Sequence, residues 1–187
     1  IRVEMLTPQT IDAYASPLND LVFPAAFLQP PYFDEKADPA VNFGSAVAII
    51  GHELTHGFDD QGRRFDADGA LRDWWTPADD RTFKARAAML GSQFSAYEPL
   101  PGFKVNGALT MGENIADLGG LTLALEAYHR MLDGAPAPVI DGLTGNQRLF
   151  LSWAQVWRGK DREDALRMQV TSNTHAPRQF RVNGIVR

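Results

Sequence analysis

The chain has 187 residues, 44% of them hydrophobic and 22% charged, with a net charge of −5. That balance supplies enough apolar side chains for one folded core and excludes disorder and a nucleic-acid partner held on a basic surface. No apolar run approaches the roughly 20 residues that span a bilayer, and with no cysteine any metal must be held by His, Asp or Glu.

Residues 1–23 read as extended segments broken by Pro8, Pro17, Asn19 and Asp20, which predicts a hairpin. Pro24, Pro30, Pro31 and Pro39 then predict a connection without helix. From about residue 40 to 58, Val41, Ala46, Ile49, Ile50 and Leu54 recur at the spacing of a mostly buried helix. Asp38 or Asp34 would cap its start, and Asp59-Asp60-Gln61-Gly62 would end it. Asp66 and Asp68 alternate like ligands of a calcium loop but lack its terminal Glu, so a solvated turn is expected.

Thr76-Pro77-Ala78-Asp79-Asp80 is a strong helix start: a cap, then Pro, then acids in the first turn. That helix should run to about Tyr97. A loop over 98–110 precedes a second buried helix at about 111–132, where Gly119-Gly120 permits close backbone approach. Further helices are expected at about 145–158 and 162–172. Phe180-Arg-Val-Asn-Gly-Ile-Val-Arg187 reads as a strand. The chain starts at Ile1 rather than Met and stops inside that run, so a fragment of a longer protein is expected. The fold class is α+β, mainly helical, with a small N-terminal antiparallel sheet beside the helices.

Chemistry concentrates in Gly51-His52-Glu53-Leu54-Thr55-His56-Gly57-Phe58. Residues four apart share a helix face, so His52 and His56 can aim two imidazoles at one metal ion. Glu53 sits about 100° further round, beside the metal, where it can deprotonate a metal-bound water. A catalytic zinc needs a third protein ligand and an open position. Glu113 and Asp117, again four apart on a buried helix, are the candidates. One would bind metal while the other orients a ligand imidazole through its free ring N–H.

These motifs resemble the neprilysin-like (M13) zinc metallopeptidases, including bacterial PepO-type enzymes. The resemblance covers nearly the whole chain. It is carried by Asp12-Ala13-Tyr14, Val22-Phe23-Pro24-Ala25, Leu28-Gln29-Pro30-Pro31-Tyr32-Phe33-Asp34, the string from His52 to Gly62, Gly112-Glu113-Asn114-Ile115-Ala116-Asp117 and His175-Ala176-Pro177-Arg178-Gln179-Phe180-Arg181-Val182-Asn183-Gly184. It implies a thermolysin-like zincin domain over residues 1–187, lacking an N-terminal helical region and the extreme C-terminus. One Zn²⁺ per chain would be held by His52, His56 and Glu113, with Glu53 as general base and Asp117 behind a ligand. His175 would stabilise the oxyanion, and Arg181 would grip a substrate carbonyl.

Ala13 suggests main-chain pairing with an extended peptide. By the same resemblance Leu28, Phe33, Ile49, Val156 and Trp157 would line the apolar pocket after the scissile bond. Asp12 stands where the family pattern has Asn. A carboxylate accepts but cannot donate to a carbonyl, so altered peptide binding is expected. His129 fits no motif and reads as a helix-face residue. The implied activity is a zinc-dependent endopeptidase or oligopeptidase acting on small peptides. The rivals are a non-catalytic zinc-containing domain that binds peptides or scaffolds a partner, and an aminopeptidase using Asp12 as its amine anchor. Absence of cysteine points to a bacterial, periplasmic or secreted setting, with the cytoplasm as the alternative.

Overall fold

A computed structural model describes residues 6–16 and 20–186. The expected hairpin is present as β1 (Tyr14–Ala15) and β2 (Leu21–Val22), antiparallel, with Tyr14 opposite Val22. Pro8, like the rest of 6–16, lies outside regular structure up to β1, while Pro17 and Asn19 lie outside the described residues. The Pro-rich connection holds one short 3₁₀ turn, Ala25–Phe27, a correction to the expectation of no helix at all. Its Pro24 cap residue is extended (φ −61°, ψ 153°), so the prolines flank the turn and do not interrupt it.

The helix expected over 40–58 is real but not uniform. It comprises α1 (Pro39–Asn42), a π turn (Phe43–Val47), α2 (Ala48–Thr55) and a 3₁₀ turn (His56–Phe58). Asp38 occupies the cap position without capping. Its carboxylate instead accepts from Arg148 Nε at 2.6 Å, while Arg148 Nη1 donates to the carbonyls of Pro138 and Leu143. Leu54, expected in the core, is 49% exposed; His52 and Glu53 take the buried face instead.

α3 (Pro77–Ser95) begins as its sequence dictates, with Thr76 Oγ1 accepting from the Asp79 amide. α4 (Met111–Met131) lies against α2. The two meet backbone to backbone: a Cβ on Gly51 would stand 2.8 Å from Gly120 O, and one on Gly120 would strike His52 N and Ala48 O. α5 (Gly145–Val156) starts with a capping box between Thr144 and Gln147, in which each side chain meets the other's backbone amide. It packs so closely on the π turn that any Cβ on Gly44 would collide with Leu149 O.

α6 (Glu163–Ser172) is followed by α7 (Arg178–Asn183), where the sequence predicted a strand. Helical spacing is what lets this segment satisfy three different neighbours at once. Arg181 reaches Asp117, Phe180 stacks on Tyr97 at 4.4 Å, and Arg181 O accepts from Trp153 Nε1. These contacts override the local β preference of Phe, Val and Ile. The core joins Phe27, Phe94, Tyr128, Leu149 and Trp153. No described helix is long and apolar enough to cross a membrane. The architecture is thus α+β and mainly helical, with one small antiparallel sheet.

Candidate active site

α2 presents His52, the 3₁₀ turn that continues it presents His56 one turn further on, and α4 presents Glu113 opposite them. One donor atom from each of these three side chains lies within 4.8 Å of the others. His52 Nε2 is 3.1 Å from His56 Nε2 and 3.3 Å from Glu113 Oε2, which is 3.8 Å from His56 Nε2. The other ring nitrogens are tethered: His52 Nδ1 to Asp117 Oδ1 at 2.8 Å, and His56 Nδ1 to Asp59 Oδ2 at 2.7 Å. A carboxylate only accepts, so each Nδ1 is the donor and carries the proton. Both rings thereby turn Nε2, the nitrogen left for a metal, toward one point. Glu113 Oε2, buried and with no well-directed hydrogen bond among the described residues, faces the same point. Two converging lone pairs and a carboxylate oxygen fit a divalent cation, and the two-nitrogen, one-oxygen donor set suits zinc.

Electrostatics agree. Burial by itself would lower the pKa of His52, but Asp117 and then Glu113 raise it to about 9. Glu113 is destabilised by burial, yet His175 and His52 hold its carboxyl well below the usual range. Asp117 is likewise opposed by burial and kept ionised by Arg181 and His52. A positive charge therefore belongs among these carboxylates. Glu53 behaves differently. Burial raises its pKa, with smaller upward contributions from Glu113 and Asp12, and His52 and His56 only partly offset this.

A cavity of about 560 Å³ opens over these groups. His52, Glu53, His56, Glu113, His175 and Arg181 all reach it. Asp117, at 1% exposure, stands behind them. His175 lies in the loop before α7, with Nε2 3.1 Å from Glu113 Oε2 and Nδ1 3.1 Å from Asn173 Oδ1. Arg181 is buried; its Nε and Nη2 bind Asp117 at 2.7 and 2.6 Å, and its guanidinium stacks 3.7 Å from the Trp157 ring centroid. Asp12 and Ala13 form a rim of the cavity beside β1, and Asp12 Oδ1 accepts from the Ala13 amide at 2.9 Å.

Of the apolar pocket residues, Ile49 and Trp157 line the cavity. Leu28 (49% exposed) and Phe33 (37% exposed) do not, and Val156 is buried in the core. Phe27, Tyr32 and Phe65 take their place in the wall. The Asp66 loop closes on itself: its carboxylate accepts from the amides of Asp68 and Ala70 and pairs with Arg72. His129 meets Asn146 on an exposed helix face. Asp59 had no assigned role in the sequence. The acid three residues after the second histidine was its signal, and its other oxygen also accepts the amides of Gln61 and Gly62.

The chain is similar to known proteins along nearly its whole length. Residues 12–187 match the family model described as Peptidase family M13. The chain is 42% identical to neprilysin-11 of Caenorhabditis elegans over 97% of its length, and 43% identical to human endothelin-converting enzyme 1 over 96%. It covers 22% and 24% of those two proteins, so it spans about a quarter of the relatives it matches. Among solved structures, the zinc metalloprotease Zmp1 of Mycobacterium tuberculosis, in complex with an inhibitor, superposes with a TM-score of 0.94 at 54% identity over 96% of this chain and 28% of that one. PepO of Lactobacillus rhamnosis gives 0.82 at 38% identity over 94% and 26%. With a family model matched along nearly its whole length, the chain belongs to peptidase family M13.

Proposed function

We propose that this chain is the zinc-binding catalytic portion of a metalloendopeptidase or oligopeptidase acting on small peptides. The observation that carries this is the convergence of His52, His56 and Glu113 on one point, with Glu53 and His175 facing the same cavity. Family membership and the zinc metalloprotease neighbour support it. One Zn²⁺ per chain, held by those three side chains, would polarise the scissile carbonyl and acidify water at its open position.

The chain's own residues supply the rest. Glu53, its carboxyl pKa raised by burial, takes a proton from the attacking water and returns it to the leaving amine. His175, tethered through Nδ1 to Asn173 Oδ1, presents its ring to the developing oxyanion in the same cavity. Asp117 and Asp59 fix the tautomers of His52 and His56. Arg181 keeps Asp117 charged through Nε and Nη2 and offers its remaining nitrogen to a substrate carbonyl. Ala13 pairs with the peptide main chain, and Ile49 and Trp157 contact the side chain after the cleaved bond. Asp12, its carboxylate turned to its own backbone, supplies no donor for a carbonyl. A periplasmic or secreted setting belongs to the same proposal.

The test is Glu53→Gln. The variant should hold one zinc per chain by atomic absorption and lose peptide cleavage by 10²–10⁴-fold, the usual contribution of a positioned acid–base group. Cleavage at the parental rate in a clean preparation would refute the role of Glu53. Zinc-loaded parental protein that binds peptides and never cleaves them would establish the non-catalytic reading instead.

A further inference from the structure

A separate cavity, about 340 Å³ in volume, opens beside the 3₁₀ turn Gly62–Arg64 and the start of α3. Among the described residues it shares no wall residue with the cavity over the metal ligands. Its wall carries four cations, Arg63, Arg64, Arg72 and Lys84, against two carboxylates, Asp73 and Asp80. In a chain of net charge −5 this is a local excess of positive charge. Asp80 is already shared, with Arg63 Nη2 at 2.9 Å and Lys84 Nζ at 2.7 Å.

The backbone brings two of the cations together. Phe65 and Leu71 form an antiparallel bridge, and one step beyond it Arg72 N donates to Arg64 O at 2.9 Å. Arg64 and Arg72 are therefore cross-strand neighbours, an unfavourable placement for like charges. Arg72 gives Nε to Asp66 at 2.9 Å and forms no other ion pair among the described residues. Arg64 is exposed and forms none among them. Arg63, by contrast, is fixed. Its guanidinium lies 4.7 Å from the Phe83 ring centroid and 5.4 Å from that of Trp75, and its side chain is 13% exposed. Its Nε is buried and has no acceptor among the described residues. A buried donor of this kind is costly unless something accepts from it. Paired like charges and a buried donor are relieved by the same thing, a small anion with several acceptor oxygens.

We propose that this cavity is a binding site for a phosphate-type dianion, held between Arg64 and Arg72, with Lys84 beside them and Arg63 as the fixed donor. A planar guanidinium matches two phosphate oxygens at once. Two negative charges balance the wall's excess of four cations over two carboxylates. The source is either free phosphate or the phosphate group of a small ester; Leu71, on the wall and 66% exposed, offers the body of an ester an apolar contact. The site stands independently of the peptidase reading.

The experiment titrates the full-length, zinc-loaded protein with inorganic phosphate or phenyl phosphate. Ionic strength is held constant with chloride, and binding is read from the phosphorus NMR line. A Kd on the order of 1 mM is expected for phosphate. Arg64→Ala and Arg72→Ala should each weaken binding about fivefold, the upper range for an exposed ion pair. Arg64→Lys should retain part of it, and Arg64→Glu should abolish it. Arg130→Ala, which removes an exposed arginine of α4, should change nothing. Equal affinity for the two probes identifies the free ion as the ligand, and tighter binding of phenyl phosphate identifies an ester. No saturation below about 20 mM phosphate, or binding that survives Arg64→Glu, would overturn the site. Equal losses in Arg64→Ala and Arg130→Ala would also overturn it, by reducing the effect to general surface charge. No step requires peptide cleavage, so failure of the peptidase reading leaves the outcome standing.

Discussion

Asp117 does not reach the cavity, yet one of its oxygens accepts from both His52 Nδ1 and Arg181 Nη2, and the other accepts from Arg181 Nε. Three N–H donors on two side chains thus depend on one carboxylate that is itself 1% exposed. Removing it leaves a buried guanidinium unpaired, which typically destabilises a fold by about 3–5 kcal/mol. It also frees the His52 ring to rotate or change tautomer. Asp117→Ala should weaken zinc affinity by about 10–100-fold, read by competition with a chromogenic chelator, and lower the melting temperature. Asp117→Asn keeps the volume but loses the charge, so it should fall between the two. Zinc affinity unchanged in both variants would show that His52 needs no orienting partner. The sequence offered Glu113 and Asp117 as a ligand and its helper because both share a helix face. It could not reveal that Arg181 would share the same oxygen, since the two are 64 residues apart.

At the level of elements, the site depends on how closely α2 and α4 approach. Their contact is made by Gly51 and Gly120, where main chain touches main chain. At an exposed helix position, Gly→Ala gains about 1 kcal/mol from propensity. Gly120→Ala should do the reverse, because its methyl group would meet His52 N and Ala48 O, rigid backbone that cannot turn aside. We expect a loss of about 1–3 kcal/mol, typical of overpacking, measured by urea unfolding. Zinc affinity should fall with it, because separating the helices pulls Glu113 away from His52 and His56. A variant as stable as the parent would show that the helices are free to slide. The Gly-Gly pair was legible as a close-packing signal. The helical α7 was not, because Phe180, Val182 and Ile185 favour strand locally and only Tyr97, Asp117 and Trp153 demand a helix.

For the whole molecule, the three proposed ligands join segments 61 residues apart in sequence, from His52 to Glu113. Metal bound only by the folded chain should stabilise it by about 4 kcal/mol at a thousandfold excess over Kd. The pH dependence should differ between loaded and chelated protein. His52 is raised from 6.5 to about 9, so in chelated protein a proton takes the place of the metal. That stabilisation is fully present below pH 6.5 and is lost as pH rises through about 9. Glu113 and Asp117, both lowered, contribute in the opposite sense: their share is present above the unfolded-state values and lost on acidification. Chelated protein should therefore melt at progressively lower temperature between pH 6.5 and 9, while zinc-loaded protein holds steady. Parallel melting curves for the two forms would contradict a protonated His52.

The sequence by itself determined the chemistry: two histidines four apart, a glutamate between them and no thiol anywhere leave few outcomes, because helical spacing is a local property. It also set the capped start of α3 and the turn that Asp66 closes on itself. Tertiary structure alone decided what surrounds that chemistry. Phe27 and Tyr32 entered the cavity wall in place of Leu28 and Phe33, Asp38 left its cap for Arg148, and α7 became a helix to bring Arg181 onto Asp117. Each of these depends on partners distant in the chain, and side-chain type fixes what a residue can bind without fixing which neighbour the fold will bring to it.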